Sequence, residues 1–149
     1  MKQLPDKYIR KDIKNAIHNL TVNNPYGSGQ VTVPCYDTNI PINGNKKNYV
    51  LLSTQTNNYD LLTKCEYTWE STILIDIVTV FNYTGNTGSR ELADDILNEV
   101  LSRVENLSLT GGSGLNIQRQ RIVSINDFET KTRNKIIFRK LLRLSLTIN

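Results

Sequence analysis

The sequence has few of the residues on which most enzyme chemistry depends. It contains one histidine, His18, and two cysteines, Cys35 and Cys65, among 149 residues. A Ser-His-Asp triad or a histidine-based metal centre needs partners that His18 lacks, so we interpret it as a surface histidine on the polar side of a helix. The two cysteines are too few and too widely spaced for a metal-site pattern, which favours two reduced, partly buried thiols. We therefore predict no enzymatic activity, no metal and no cofactor.

Long apolar runs are also missing. The chain has no stretch of 18 or more apolar residues, and its first seven residues are too polar for a signal peptide. We expect a soluble product that is neither secreted by the standard route nor in contact with a membrane. A length of 149 residues is sufficient for one domain, 1–149, with a core of its own.

The clearest pattern present is a long strand, a loop and an amphipathic helix. Residues 66–81 are rich in β-branched and aromatic side chains, which predicts a central strand. Alternation places Trp69, Ile73, Ile75, Ile77 and Phe81 on one face, and Leu74, Val78 and Val80 on the other with Glu70, Thr72 and Asp76. Residues 89–104 have apolar residues at helical spacing, with Ser89 as a candidate N-cap.

The remaining elements flank this unit. Helical spacing predicts an N-terminal helix at about 6–20, followed by a loop over 22–30. The Asn43-Gly44 signal predicts a hairpin over 31–54, and Pro34 within it argues for a sheet edge or a bulge. Two apolar alternating runs predict a C-terminal hairpin over 115–148. The fold class that follows is α+β, with a mostly antiparallel sheet of about five strands and two helices packed on one face.

Charge is unevenly distributed along the chain. The net charge is +3 over residues 1–20, −5 over residues 21–106 and +6 over residues 107–149. An ordinary solvated surface explains the net charge of any one of these segments. Taken together, the segments of opposite charge allow one face of a subunit to contact a different face of the next subunit. The candidate interface comprises eight charged residues: Glu91, Asp94, Asp95, Glu99, Arg119, Arg121, Arg139 and Arg143.

Two other functions are consistent with these charges. A basic face on the C-terminal hairpin would bind nucleic acid without reading its sequence; its candidates are Arg119, Arg121, Arg133, Arg139, Lys140 and Arg143. A metal-dependent nuclease would use Asp76 and Glu129 as metal ligands, with Lys131 near the scissile phosphate. The first would show salt-sensitive DNA binding, whereas the second would show metal-dependent cleavage.

The order of these elements resembles the tail-completion, or tail-terminator, proteins of tailed bacteriophages over nearly the whole chain. The most specific part is the run E-x-T-x-x-I-D-I-x-x-x-F that begins at Glu70, followed by a loop and then by S-R-E-L-A-D-D-I-L-N-E-V-L from Ser89. It is similar to that family's central strand and to the helix that begins just after a Gly-containing loop.

The resemblance implies a structural protein of the virion neck, at the head–tail interface, made in the host bacterial cytoplasm. Identical subunits would form a ring that docks a portal, adaptor or head-completion protein on one rim and tail proteins on the other, with genomic DNA passing through the lumen. Such a protein acts stoichiometrically. The segments that would carry its contacts are the second helix and the loops 82–88 and 107–114.

Overall fold

The computed structural model describes residues 4–44, 47–61, 67–82, 90–109 and 114–149. These residues form two helices and seven strands. In chain order they are α1 (Asp6–Ile17), β1 (Leu20–Asn23), β2 (Gln30–Val33), β3 (Cys35–Asp37), β4 (Asn48–Leu61), β5 (Tyr67–Asn82), α2 (Glu91–Val104), β6 (Ile117–Lys131) and β7 (Lys135–Ile148).

Five strands form the main sheet in the order β3-β4-β5-β7-β6, so β5 is central as the sequence predicts. β4, β5, β7 and β6 are antiparallel neighbours. β6 and β7 form a C-terminal hairpin whose turn is closed by Thr132 N–H donating to Lys135 O, 2.8 Å away. The α+β class with a mostly antiparallel five-stranded sheet is confirmed.

The hairpin predicted over 31–54 is wrong. Pro34 has no N–H to donate, and the chain changes sheets at this residue: β2 ends at Val33 and β3 begins at Cys35. β3 then pairs with β4 in parallel, with Cys35 opposite Val50, so the intervening loop is a crossover. Thr38, with a φ of 64°, turns the chain away from β3 before the Asn43-Gly44 turn is reached. Pro34 lies between the two strands, immediately before β3, which is an edge strand of the main sheet.

A second, two-stranded sheet flanks the region predicted as a loop over 22–30, and it includes Leu20, which was predicted to end the first helix. β1 and β2 are antiparallel, with Leu20 opposite Val33, and the loop between them is shorter than predicted. Each strand has only four residues, too few for alternation to stand out from the Asn- and Gly-rich surroundings. Tyr26 in this hairpin accepts a hydrogen bond from Leu92 N–H at 3.3 Å, and thus holds the hairpin against the start of α2.

Both helices pack on one face of the main sheet and bury its core. α1 contributes Ile9, Ile13 and Ile17, and its helical conformation ends before Asn19, whose φ is 57°. α1 contacts β3 and β4, while α2 contacts β5 and β7. Between the helices, Arg103 of α2 donates to Ala16 O at 3.2 Å. The helix layer therefore follows the strand order of the sheet, with β6 at its outer side.

Candidate interaction surfaces

The second face of the sheet carries no helix within the described ranges, and four predicted interface arginines share it. The register pairs Arg139 with Val78, Arg143 with Leu74, Arg119 with Thr147 and Arg121 with Ser145. All of these partners lie on the side of the sheet opposite Ile73, Ile75 and Ile77, which are buried under the helices. Alternation therefore predicts correctly that Arg139 and Arg143 lie on the face of β7 opposite Phe138, Leu142 and Leu144. The structure brings the four arginines onto one surface, which we call the arginine face.

Two of these arginines are engaged by carboxylates of β5. Arg139 binds Asp76 with two hydrogen bonds, one from Nε to Oδ1 at 3.3 Å and one from Nη2 to Oδ2. Arg121 Nη2 lies 3.7 Å from Glu70 Oε1. Among the described residues, Arg119 and Arg143 have no carboxylate within salt-bridge distance, so they are the free cations of the arginine face.

The residues of the hypothetical nuclease site are not brought together. Asp76 lies on the arginine face, whereas Glu129 pairs with Phe138 on the helix side of the sheet. Lys131 Nζ lies 3.3 Å from Glu129 Oε1 and is likewise distant from Asp76 in register. Within the described residues, no group of three or more His, Cys, Asp and Glu side chains is placed to hold a metal ion. Opposite faces of one sheet cannot supply converging metal ligands.

Lys140 does not belong to the basic face predicted for it. It pairs with Ile77 on the helix side, where its side chain is buried between β6 and α2. Its Nζ lies 2.6 Å from Asp94 and 2.7 Å from Asp127. Burial lowers the pKa of Lys140, but the hydrogen bonds to Asp127 and Asp94 outweigh burial and raise it. Alternation with Phe138 and Leu142 was the sequence signal that places Lys140 on the core side. Arg133, which was also predicted to belong to the basic face, lies in the turn between β6 and β7.

The four predicted acidic interface residues all lie on α2. Two of them form ion pairs within the chain: Asp94 with Lys140, and Glu99 with Arg103 at 2.9 Å. Asp94 is thereby directed toward β6 and β7, whereas Glu99 and Arg103 are directed toward α1. Glu91 and Asp95 lie in the first turns of the helix, where the dipole favours negative charge. The acidic residues of α2 and the arginine face thus lie on opposite sides of the main sheet.

The edge strand β6 exposes a row of large apolar residues that alternation alone does not reveal. Ile122 is 47% exposed, Ile125 41% and Phe128 51%. Ile122 and Ile125 pair with Leu144 and Leu142 on the helix side, whereas Phe128 pairs with Arg139 on the arginine face. The sequence pattern does not give the strand order: the position of β6 outside α2 leaves Ile122 and Ile125 uncovered on the helix side.

A groove follows this strand beside α2. Polar contacts join α2 to β6 at both ends: Arg90 approaches Glu129 at 3.6 Å, and Gln120 Nε2 donates to Val104 O at 2.9 Å. Beside the Gln120–Val104 contact, at the C-terminal end of α2, lies an open groove of about 530 Å³. Its lining comprises Leu101, Ser102, Val104, Glu105, Gln120, Arg121, Ile122 and Leu144.

His18 and Cys35, the other residues considered as candidates for chemistry, lie beside each other in the fold. His18 is exposed, and its Nδ1 accepts a hydrogen bond from Cys35 N–H at 3.0 Å, so it supports the start of β3. Cys35 is a buried free thiol.

Several predicted features lie outside the described residues. They are Cys65, Ser89, most of the predicted interface loop 82–88 and residues 110–113 of the loop 107–114. Of the two helices in the described part of the chain, neither is long and apolar enough to cross a membrane.

This fold is shared with a virion protein. The chain is similar to a chain of a solved structure described as "Virion of native gene transfer agent (GTA) particle", with a TM-score of 0.54 and 12% sequence identity. The similarity covers 78% of each chain. Comparison with protein-family models and with curated proteins gives no match. The chain therefore has a fold that is also found in a gene transfer agent particle.

Proposed function

We propose that this protein is a structural component of a tailed bacteriophage virion. More specifically, we propose that it forms a homo-oligomeric ring in the neck, at the head–tail junction, as a tail-completion or tail-terminator protein. The observation that carries the proposal is the fold shared over 78% of both chains with a component of a gene transfer agent virion. The order of strand, loop and helix from Glu70 to Leu101 supports the same assignment from the sequence.

The charge distribution suits assembly by two different faces. In a ring, each subunit presents one surface to the neighbour on one side and a different surface to the other. α2 carries Glu91, Asp94, Asp95 and Glu99 on one layer of the subunit, and the arginine face carries its four arginines on the other. Rim contacts to a portal, adaptor or head-completion protein and to tail proteins would use such complementary patches, which favour correct partners and fast encounter.

DNA passing through the lumen accounts for the unpaired cations. Arg119 and Arg143 are the arginines of that face without a carboxylate partner among the described residues. A surface that DNA slides past needs phosphate attraction without base recognition, because sequence-independent contacts permit movement along the duplex. Arg139 and Arg121, held by Asp76 and Glu70, contribute less free charge.

The mass of the purified protein in solution tests this proposal. Light scattering after size exclusion, with and without a candidate portal or adaptor protein, should detect a closed oligomer, or a monomer of 17.0 kDa that assembles on that partner. Negative-stain images of the oligomer should show rings with a central opening. A protein that remains monomeric in both conditions and binds DNA would contradict the neck assignment.

A sequence-independent nucleic-acid-binding module is the second candidate, favoured by the arginine face itself. Its test is the double variant Arg119→Glu/Arg143→Glu, assayed by fluorescence anisotropy with duplex DNA at two salt concentrations. The module predicts that wild-type monomer binds DNA in low salt and that the variant does not. Lys7→Glu/Lys11→Glu, on α1 at the other side of the sheet, is the control with the same change in charge. Arg139 is unsuitable for this test because its loss would leave Asp76 buried and unpaired.

A further inference from the structure

The outer edge of the 15-residue strand β6 carries backbone groups that point away from the sheet. Beside the start of β6, Asn116 and Asn149 exchange both of their backbone hydrogen bonds, at 2.8 and 3.0 Å. Every second residue of an antiparallel strand makes such an exchange with one neighbour, so the odd-numbered residues of β7 bond to β6. The residues of β6 between their partners direct N–H and C=O groups outward, where no strand of the described chain pairs with them. These outward residues include Gln120, Ile122, Ile125 and Asp127.

A bulge divides this edge into two halves. Ile122 and Ser124 are opposite successive residues of β7, so Val123 between them is an extra residue. The alternation of faces changes at this point: Ile122 and Ile125 are three residues apart, yet both lie on the helix side with outward backbone groups. A regular strand cannot follow such an edge, because beyond the bulge it would be out of step by one residue. The edge therefore selects a strand with the same interruption.

A second copy of β6, running antiparallel to the first, has this interruption in the matching place. With a two-fold axis between Val123 and Ser124, the two bulges coincide and Ile122 of each copy is opposite Ile125 of the other. Gln120 is then opposite Asp127, so outward backbone groups meet outward backbone groups on both sides of the axis. Pairs of this kind exchange two hydrogen bonds each, which gives about eight across the contact.

The side chains on both faces of the sheet also match in this register. On the helix side, Ile122 is 47% exposed and Ile125 41%, and they would cover each other in two cross-strand pairs. On the arginine face, Phe128 is 51% exposed and is opposite Arg119, the arginine before the bulge that has no carboxylate within salt-bridge distance among the described residues. A guanidinium over an aromatic ring is a favourable pair.

We propose that two copies of this chain pair through β6 into a two-fold dimer, in which their five-stranded sheets become one continuous sheet. The contact is isologous and closes after two copies. It goes beyond the proposed function, because a ring needs a contact between two different surfaces. The dimer would be the form of the protein before it joins a virion, and it would protect a long edge strand from pairing with other chains.

Two double variants of the paired isoleucines test the dimer. Wild type should sediment as a dimer of twice 17.0 kDa at concentrations from micromolar to millimolar. Ile122→Asp/Ile125→Asp and Ile122→Lys/Ile125→Lys each place like charges opposite each other, so each alone should dimerise more than about tenfold more weakly. In an equal mixture every introduced carboxylate is opposite an introduced ammonium group, and a heterodimer should form. This rescue requires that position 122 of one copy meets position 125 of the other.

Hydrogen exchange tests the backbone pairing in the unmodified protein. The amides of Ile122 and Ile125 point away from β7, so they should exchange rapidly in dilute protein and more than about tenfold more slowly once the dimer forms. The amides of Arg121 and Asn126 bond to β7 and should be protected at both concentrations, which makes them the internal control.

Leu4→Asp/Ile42→Asp is the matched control variant. It makes two apolar-to-acidic changes away from β6, at residues that are 52% and 91% exposed, and should dimerise like wild type. Circular dichroism should show that all variants are folded. The dimer would be overturned by a wild type that stays monomeric at millimolar concentration, by an acidic variant that associates like wild type, by a mixture without heterodimers, or by unchanged exchange at Ile122 and Ile125. The proposed neck function would survive each of these results, because it depends on a different contact.

Discussion

Asp76 and Arg139 form a two-bond ion pair across the neighbouring strands β5 and β7. The Asp76 side chain is only 4% exposed, whereas Arg139 remains 45% exposed. Tyr49 is nearby, and its pKa is raised by burial and by the Asp76 carboxylate. The guanidinium is thus the group that allows a carboxylate to be buried in the sheet.

Removing the Arg139 cation alone should therefore lower the free energy of unfolding more than removing both charges of the pair. We expect Arg139→Ala to lower the free energy of unfolding by about 2 kcal/mol, since an uncompensated carboxylate remains while Arg139's own exposure moderates the loss. The double variant Asp76→Leu/Arg139→Leu should be more stable than Arg139→Ala. Urea unfolding measures both values. Arg143→Ala, on the same face without an ion pair among the described residues, is the control and should change stability by less than about 0.5 kcal/mol; equal losses in the two single variants would contradict the argument.

The buried cation Lys140 should stabilise the packing of α2 against β6 and β7. It bridges Asp94 and Asp127 at 2.6 and 2.7 Å from a buried position. Lys140→Met keeps the length of the side chain but leaves two carboxylates facing each other, and we expect a loss of about 2 kcal/mol in urea unfolding because both carboxylates are partly exposed. Lys135→Met, on the same strand in an exposed position, should have almost no effect. A loss as small as that of Lys135→Met would show that the bridge does not stabilise the fold.

Cys35 should be unreactive in the folded protein. Burial raises the pKa of its thiol to about 12, with Lys14 lowering and Asp37 raising it to smaller extents. Because the thiolate is the reactive form, labelling by a thiol reagent at neutral pH should be slow in the native state and fast in urea. A Cys65→Ser background isolates the signal of Cys35. Rapid labelling of the native protein would contradict the buried position.

The same pKa predicts a pH dependence of stability. The native thiol keeps its proton up to about pH 12, whereas an unfolded cysteine loses it near about pH 8.5. The native state binds more protons between these values, so the free energy of unfolding should fall as the pH rises through this window and should not depend on Cys35 below it. Comparison of the Cys65→Ser protein with Cys35→Ala/Cys65→Ser separates this contribution from other titrating groups. Parallel pH profiles for the two proteins would refute it.

Gly44 should be needed in the crossover loop between β3 and β4. A β-carbon at this position would lie 2.9 Å from Tyr36 Oη and 3.0 Å from Pro41 O. We expect Gly44→Ala to destabilise the protein by about 1 kcal/mol, because a backbone carbonyl cannot move aside as a flexible side chain can. Gly27→Ala, where the nearest atom is 3.8 Å away, is the control and should be neutral or slightly stabilising. Thermal unfolding distinguishes the two.

Periodicity within a segment was enough to predict much of this fold. The alternation of Trp69, Ile73, Ile75 and Ile77 places them on the helix side, as the register confirms. Arg139 and Arg143 follow the same rule on β7. These are local properties, because a strand's side chains alternate whatever its neighbours are. Segments that were too short or interrupted gave wrong predictions: within β1, Leu20 was assigned to the first helix and Val22 and Asn23 to a loop, and the Asn43-Gly44 signal was read as a hairpin.

The sequence pattern did not predict the order of the strands in the main sheet. Nothing in residues 117–131 indicates that they form an edge, and nothing in the sequence indicates that α1 covers β3 and β4 while Ile122 and Ile125 stay exposed. Pairing between strands depends on contacts between residues far apart in the chain, which no short window contains. Composition and alternation therefore define the faces of this protein, its charges and its fold class. The tertiary arrangement alone defines which strands lie at the edges of the sheet and which of their side chains stay exposed.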